Sequence, residues 1–496
     1  MQTTVNFAEI IGPAIDKTEH RLLINGQWQP AANGATFPVT NPATGETLRQ
    51  IADGGVADTR AAIDAAAAAF PGWAATSPQT RADLLRKVAA LMVERREYLA
   101  TVMTAEQGKP MNEARGEITY SASFFNWFAG EAERIYGQVI PSFSTNKRIL
   151  VLNQPVGIAV LITPWNFPAG MLARKLAPAL AAGCTVICKP AEQTPLTALE
   201  MGKICVEAGF PAGVVNIITC NDPIPFSETV FADERVRKLS FTGSIEVGKK
   251  LITQSASTVK RLSLELGGNA PFIVFGDADL SAAVQGAMLA KFRNGGQTCL
   301  SANRVFVQRS IYEQFAAAYT AEAAKLKVGN GLQPETTVGP LIDMQARTKV
   351  ERHVTDATAH GAQVLLGGKP WAEHDGNSGT FWMPTILGGA STNMLVAQEE
   401  TFGPVAPLIP FDDEDEVIAK ANDTLYGLAA YFYTRDVSRV MRVAERLEYG
   451  IIGVNDGMPS TAQTPFGGFK HSGLGREAGP VGIDEYLEMK TVSIVI

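Results

Sequence analysis

The sequence predicts an α/β protein: two doubly wound parallel-sheet domains and a small extra β element. Three observations carry that prediction. Apolar strand-like runs alternate with helix-length segments from Gly157 to Gly268. The alternation starts again at Pro271, so a boundary falls near Glu265–Pro271. Two further stretches belong to neither run: a segment around Glu131–Asn153 that alternates apolar and polar residues across a turn, and the apolar tail "TVSIVI". A length of 496 residues suits two to three domains at roughly 100–200 residues each. The predicted bounds are 20–131 with 152–266, then 267–461, with 132–151 and 482–496 as projecting strands.

The elements follow in order. "VADTRAAIDAAAAAFPGW" and "RADLLRKVAALMVERREYLATVMT" have helical spacing; Asp58 is the expected N-cap of the first, and Ser77-Pro78 opens the second. "GIAVLIT", "CTVICKP", "VVNIITC", "KLSFTG" and "RLSLELGG" read as strands. Between them lie the helices "AGMLARKLAPALAAG", "PLTALEMGKICVEAG" and "IEVGKKLITQSAS". In the second run, "PFIVFG" and "RVFVQ" are strands, and "DLSAAVQGAMLAKFRN" and "IYEQFAAAYTAEAAKL" are helices, with Asp279 at the start of the former. "VLLGG", "APLIPF", "EDEVIAKAND" and "GLAAYFYT" continue it. "RIYGQVIPSFSTNKRILVLN" reads as a projecting hairpin. A bare apolar edge such as "TVSIVI" invites aggregation, so a partner subunit is expected to cover it.

Composition narrows the function. With 43 Lys+Arg against 50 Asp+Glu the net charge is −7, which argues against a general nucleic-acid binder. The N-terminus lacks a basic segment followed by an apolar one, so no secretory signal is expected. Prolines 164, 168 and 178, with Arg174 and Lys175, interrupt the longest apolar region, Val156–Cys188, which therefore reads as buried α/β chain and not as a membrane span. Five cysteines (184, 188, 205, 220 and 299) suit reduced thiols in a cytoplasm, and Cys184 and Cys188 read as buried small hydrophobes. The histidines (20, 353, 360, 374 and 471) sit in no motif, which speaks against a Cys–His hydrolase and a His-ligated metal site.

Several short stretches can carry chemistry. In "KFRNGGQTCLSANR", Gly295-Gly296 ends a helix and allows close backbone approach, and Asn294, Gln297 and Thr298 describe an exposed polar loop before Cys299. Backbone N–H groups there could stabilise an oxyanion. Glu265, directly before Gly267-Gly268 in the interdomain stretch, reads as a general base or as a capping or solvent Glu. Asn166, held stiffly in "ITPWNFP", reads as an oxyanion amide or a turn residue. "KPAEQTP" lies at a strand's C-terminal end, where Lys189 could reach a phosphate or ribose hydroxyl and Glu192 could accept from a 2′-hydroxyl. "FTGSIEVG" offers Gly243-Ser244 at a helix N-terminus for pyrophosphate, without the usual G-x-G-x-x-G.

Together the stretches "PWNFP", "KPAE", "FTGS", "LELGG", "FRNGGQTC", "EETFGP" and "PFGGFKHSGLGRE" resemble the aldehyde dehydrogenase superfamily in order and spacing, from about residue 20 to the C-terminus. The resemblance implies a Rossmann-like NAD domain and a catalytic domain. It implies Cys299 as nucleophile, Glu265 as general base and Asn166, with the Cys299 N–H, as the oxyanion site. It implies cofactor contacts at Thr163, Pro164, Trp165, Lys189, Pro190, Ala191, Glu192, Gly243, Ser244, Val247, Leu266, Glu400 and Phe402. No metal is implied. The thiol would add to an aldehyde, hydride would pass to nicotinamide, and water activated by Glu265 would hydrolyse the thioester.

Within the superfamily the sequence is most similar to the succinate-semialdehyde dehydrogenase branch. Arg174, Arg293 and Ser460 carry that likeness and are implied to bind the substrate's carboxylate. A single arginine would be read as a surface or helix-end charge; three sites together favour an anion pocket. Many branch members have a second cysteine two residues after the nucleophile, where this chain has Ser301, so no disulfide switch is expected. Glu192 would repel a 2′-phosphate, which predicts NAD preference with NADP possible. Thr461, Ala462 and Gln463 are expected in the same pocket. Glutarate, α-ketoglutarate and sulfolactaldehyde-type semialdehydes would fit the same anchor. The expected assembly is a homo-oligomer, a dimer of dimers. The competing classes are a silent binding or structural protein on the same fold, opposed by Cys299, Glu265 and Asn166 together, and a CoA-acylating dehydrogenase, opposed by Glu265.

Overall fold

A computed structural model describes residues 21–372 and 379–496. The predicted domain start at residue 20, His20 and His374 lie outside the described residues.

Two open sheets organise the chain. The first has the strand order Gly473–Leu474, Arg261–Glu265, Val236–Thr242, Ile158–Ile162, Thr185–Lys189, Val215–Ile217, Leu22–Ile24, Gln27–Gln29. Its five central strands are parallel, and antiparallel pieces close both ends. Parallel strands covered on both faces need near-continuous apolar runs, and Thr185–Lys189 is buried throughout. The chain runs outward from Ile158–Ile162 through two strands, then returns to add Val236–Thr242 on the other side. That reversal is a topological switch point, where the strands' carboxyl ends leave a crevice for a ligand.

The second sheet has the order Gln363–Leu366, Thr385–Gly388, Val405–Phe411, Ala302–Gln308, Ala270–Val274, Ala429–Tyr433, Ile451–Val454, parallel except at its first pair. Only Leu266–Asn269 separates the last parallel strand of the first sheet from the first strand of the second. The C-terminal edge of one sheet therefore faces the N-terminal edge of the other. The predicted α/β class with two parallel sheets is what the chain forms.

Several local expectations need correction. Asp58 is not the N-cap of Val56–Ala74: Gly55 is, and Asp58 reaches back from the third helical position to accept Gly55 N–H (2.9 Å). The helix expected over residues 81–104 is two, Pro78–Glu94 and Arg96–Gln107, meeting at Arg95. The break lets Val102 and Ala105 pack under the small antiparallel pair Thr36–Thr40/Thr47–Ala52, while Leu99 and Met103 join the main core. Ser77 and Asp279 cap their helices as expected, accepting from Thr80 and Ala282 N–H. Helices Pro223–Ala232, Met344–Ala359 and Val437–Arg446 were not read from the sequence. Met344–Ala359 buries only Val350, His353, Val354 and Ala357, too sparse a stripe to stand out.

The predicted hairpin and tail form one three-stranded sheet, Leu487–Val495, Lys147–Pro155, Gln138–Ile140. The tail pairs along one edge with its own chain, in register from Leu487↔Pro155 to Val495↔Lys147, and is the outer strand of that sheet. Among the described residues no helix is long and apolar enough to cross a membrane.

Candidate active site

The loop that carries Cys299 begins where helix Leu280–Phe292 ends. A 3₁₀ turn, Arg293–Gly296, holds Asn294, Gly295 and Gly296 at left-handed φ of +53°, +61° and +76°. Gly296 is required twice over, because a Cβ there would stand 2.2 Å from the Gly403 carbonyl oxygen. The loop is not exposed, as its polarity suggested: Asn294, Gln297 and Thr298 are buried. Their amides replace missing backbone partners. Gln297 Nε2 donates to the Asn294 and Pro340 carbonyls, and its Oε1 accepts Ile342 N–H. Asn294 Nδ2 donates to the Asn166 carbonyl (2.9 Å) and to the Gln297 carbonyl (3.2 Å).

Asn166 arrives from the carboxyl end of strand Ile158–Ile162. Its Nδ2 donates to the Gln297 carbonyl (3.1 Å), two residues before Cys299. Its carbonyl also accepts from Lys109 Nζ (2.8 Å), a buried lysine ion-paired with Glu117. The other Glu117 oxygen accepts Ala169 and Gly170 N–H, capping helix Pro168–Ala182 (3.0 Å each). The amide that could meet an oxyanion is therefore braced from three elements.

Cys299 opens onto two cavities, of about 270 and 690 Å³. Asn166 and Thr242 also line both. The smaller cavity brings together all three predicted anion-binding residues, Arg174, Arg293 and Ser460. Arg174 Nη2 donates to Tyr120 Oη (2.9 Å), and its guanidinium stacks on Phe466 at 3.8 Å. Tyr120 Oη also meets Ser460 Oγ (2.9 Å). Buried Arg174 Nε and Nη1 have no hydrogen-bond partner. Arg293 faces the Phe167 ring at 5.3 Å and forms no ion pair among the described residues. Thr461, Ala462 and Gln463 do not line this cavity; Met458, Ser460 and Phe466 do, because Ala462 is packed inward and Thr461 and Gln463 face outward.

The larger cavity is lined by Pro164, Trp165, Gly243, Ser244, Leu266, Glu400 and Phe402 of the predicted cofactor set. Thr163, Lys189, Pro190, Ala191, Glu192 and Val247 lie outside its wall, although Thr163, Lys189 and Glu192 stand at the same sheet edge. Lys189 Nζ is 3.6 Å from Glu192 Oε2. Ser244 caps helix Ile245–Ser255 by accepting Val247 N–H. Glu400 Oε1 accepts Gly268 N–H (3.0 Å), and burial pushes its carboxyl up to about 7. Trp165 and Phe402 meet edge to face at 5.4 Å.

Glu265 is the outlier. It lines neither cavity, is buried, and neither carboxyl oxygen has a hydrogen-bond partner. Burial, then the nearby Glu477 carboxylate, raises it well above the usual range, against Lys175, Arg174 and Arg476. Glu477 is itself ion-paired with Lys175. Burial likewise pushes the Cys299 thiol up to about 12; Arg174 and Arg293 pull it down, while Glu400 and Glu265 push it up.

Sequence reading missed part of the site. Glu113, Glu117 and Tyr120 line the smaller cavity from helix Met111–Ala132. Their i, i+4, i+7 spacing puts them on one face of that helix, a signal that could have been found. Lys349 and Arg352 line the larger cavity from the unread helix Met344–Ala359. His353, on the same helix, is buried; its ring meets Thr401 Oγ1 and Glu399 (3.1 Å each), steadying the loop that carries Glu400. Burial lowers it to about 4, so it is neutral near neutral pH. Cys184, Cys188, Cys205 and Cys220 are all buried, and burial raises each thiol.

The profile of the aldehyde dehydrogenase family matches residues 28–492. A succinate-semialdehyde dehydrogenase (NADP(+)) of Escherichia coli strain K12 is 53% identical over 472 residues, covering 95% of this chain and 97% of that protein. A glutarate-semialdehyde dehydrogenase of Pseudomonas putida strain KT2440 is 53% identical over 473 residues, with the same two coverages. The crystal structure of an E. coli NADP-dependent enzyme superposes with a TM-score of 0.95 at 52% identity, covering 97% of this chain and 100% of that one.

Two outcomes follow from the geometry. A Cβ on Gly268 would stand 2.1 Å from the Cys299 carbonyl oxygen, so Gly268→Ala must displace the Cys299 peptide. Steady-state kinetics should show kcat down about 100-fold, with the circular dichroism spectrum kept. A thiol raised by burial gains thiolate only as pH climbs toward its pKa. Iodoacetamide should alkylate the ligand-free protein about tenfold faster per pH unit above neutrality. A rate that levelled off by about pH 8 would show that the two arginines already ionise the resting thiol.

Proposed function

The chain belongs to the aldehyde dehydrogenase family, and we propose that it oxidises a short anionic semialdehyde, succinate semialdehyde first, to the acid with NAD(P). One observation carries the choice of an anionic substrate. Arg174 and Arg293 face the same cavity as Cys299, and Arg293 has no carboxylate ion-paired with it among the described residues. A half-buried guanidinium without such an ion pair, beside buried Arg174 whose Nη1 comes no nearer than 3.9 Å to Glu477, in a cavity walled by Phe167, Met171 and Phe466, favours an anion from outside. Ser460 and Tyr120 add hydroxyl donors. About 270 Å³ suits a chain of few carbons.

The residues at the larger cavity fit a dinucleotide. Gly243 and Ser244 bring backbone N–H groups to a helix N-terminus at the switch point, and Gln193 Oε1 is buried there without a partner. Bound nicotinamide would supply the hydride acceptor. We assign the cofactor to residues 20–131 and 152–266, and catalysis to 267–461.

The chain's own groups then divide the work. Cys299 attacks the aldehyde carbon; Asn166 Nδ2 and the Cys299 N–H stabilise the oxyanion. Arg174, Arg293 and Ser460 hold the distal carboxylate and so orient the carbonyl. Glu265, once turned toward the thioester, takes a proton from the hydrolytic water. Burial and the Glu477 carboxylate raise its pKa, which strengthens it as a proton acceptor. The P. putida relative gives glutarate semialdehyde equal standing as the second reading.

A cytoplasmic location and a homotetramer, a dimer of dimers, belong to the same proposal. The sparse cysteines support the first. For the second, Val139, Phe143, Met489 and Val495 are exposed on the three-stranded element or its turn, an apolar surface suited to a second copy.

Arg293→Ala should lower kcat/KM for succinate or glutarate semialdehyde about 10–100-fold while changing that for butanal by less than about threefold. Equal losses would refute the anchor, and the ratio between the two semialdehydes in the wild type ranks the readings. NAD should be preferred over NADP, although the E. coli relative is named for NADP(+). Glu192→Ser should raise kcat/KM with NADP about tenfold, by removing a carboxylate beside the 2′-position. An unchanged ratio would show that Glu192 does not select the cofactor.

A further inference from the structure

We propose that Met458 is a redox-modification site: its sulfoxide occupies the Arg293 guanidinium and closes the enzyme to anionic substrates. Met458 lies in the loop after strand Ile451–Val454, and its backbone N–H is fixed by Asp456 Oδ1 (2.8 Å). Its side chain lines the smaller cavity, yet the residue is 49% exposed, so an oxidant in solvent reaches it. Its sulfur accepts from Arg293 Nη1 at 3.1 Å. Met344, Met441 and Met489 are also exposed, but none lines either cavity, so oxidation there touches no proposed site.

The chemistry follows from the change of acceptor. A thioether is a weak acceptor, easily displaced by a carboxylate. With a hydroperoxide as oxidant, the sulfur lone pair attacks the outer peroxide oxygen. An S–O bond forms and the O–O bond breaks; sulfur gives up two electrons to the peroxide. The departing hydroxide or alkoxide takes the remaining proton and leaves as water or alcohol. The sulfoxide oxygen carries substantial negative charge and sits one bond from an atom already at hydrogen-bond distance from the guanidinium. It would satisfy Arg293 from within and compete with the substrate's carboxylate. Reduction by methionine sulfoxide reductases, one for each epimer, would reopen the pocket.

Cys299 is the obvious competitor for peroxide. Thiolate is the form that peroxide attacks, and burial holds the Cys299 thiol up. A thioether needs no deprotonation, so Met458 can react at a pH where Cys299 is almost all thiol.

The inference rests on the anchor reading of Arg293, and the test separates the two. Wild type and Met458→Leu are treated with hydrogen peroxide, quenched with catalase and reduced with dithiothreitol. Samples are used only if titration recovers the full count of five thiols. Peptide mass mapping gives the oxygen added at each methionine. Each sample is compared with its own untreated kinetics on succinate semialdehyde and on butanal. Oxidised wild type should show a KM for the semialdehyde raised about tenfold, with kcat and the butanal KM within about twofold. Methionine sulfoxide reductases A and B should restore it, and Met458→Leu should show no rise. An equal rise in Met458→Leu, or full oxidation of Met458 with an unchanged KM, overturns the inference. Arg293→Ala is the control: if its semialdehyde KM rises while oxidised wild type's does not, the redox inference alone falls. If its semialdehyde KM does not rise either, the anchor reading falls with it.

Discussion

The hydrogen bond from Asn166 Nδ2 to the Gln297 carbonyl is the constraint on which the site depends. It ties the carboxyl edge of one sheet to the loop that enters a strand of the other. Without it, the Asn166 amide and the Cys299 thiol would be carried by different sheets with one fewer bond fixing their separation. Asn294 doubles the tie, donating to Asn166 and to Gln297 from the opposite side. All three amides are buried, so none has water as an alternative partner. Such a network is stable only when each member is in place, which makes it rigid and intolerant of single changes. The approach also dictates glycine at two points: Gly268 against the Cys299 carbonyl and Gly296 against the Gly403 carbonyl.

From that joint the two cavities follow. Cys299 sits where they meet, so one group can face a dinucleotide on one side and a small substrate on the other. The larger cavity inherits its N–H donors from the switch point of the first sheet. The smaller one is built by helices Met111–Ala132 and Pro168–Ala182 and the loop from Met458 to Phe466. Buried Lys109 belongs to the joint and not to substrate: its ammonium is spent on Glu117 and on the Asn166 carbonyl. The cations left facing the smaller cavity are Arg174 and Arg293.

What the sequence disclosed depended on how each residue meets its partners. Alternating apolar runs announced both parallel sheets, because a strand buried on two faces has little room for polar residues. Cys299 and Asn166 were read from local motifs, and Arg174, Arg293 and Ser460 were implied by the family resemblance; the fold brings all five to one cavity. Helix Met344–Ala359 stayed hidden because it buries a narrow stripe, and Lys349 on the cavity wall stayed hidden with it. The nucleophile loop was misjudged as exposed because its amides look like solvent-facing groups. Their partners are backbone carbonyls as remote as Pro340, which local pattern cannot supply. Glu265 was placed on the right strand, but its electrostatic surroundings come from Glu477 and Lys175, neither of them near it in sequence.

Those surroundings enter the charge balance of the site. Burial raises both Glu265 and Cys299 and so disfavours their charged forms, while Glu477 pairs with Lys175 and stands 3.9 Å from Arg174 Nη1. Arg293, without an ion pair among the described residues, and Arg174, which shares Glu477 with Lys175, are then the cations facing the smaller cavity. On the proposed function two anions come to stand near them: the substrate's own carboxylate, and the thiolate or oxyanion formed at Cys299. One arginine could balance the first only by leaving the second to form unaided in a buried site, where an unpaired charge is costly. A second arginine eases that conflict: two cations gripping one carboxylate leave positive charge over, and both favour negative charge at sulfur. The pair therefore links substrate recognition to nucleophile activation, and a neutral aldehyde, which matches neither cation, would leave the pocket with excess positive charge. Selectivity for an anion and reactivity of the thiol are, in this pocket, two consequences of the same two residues.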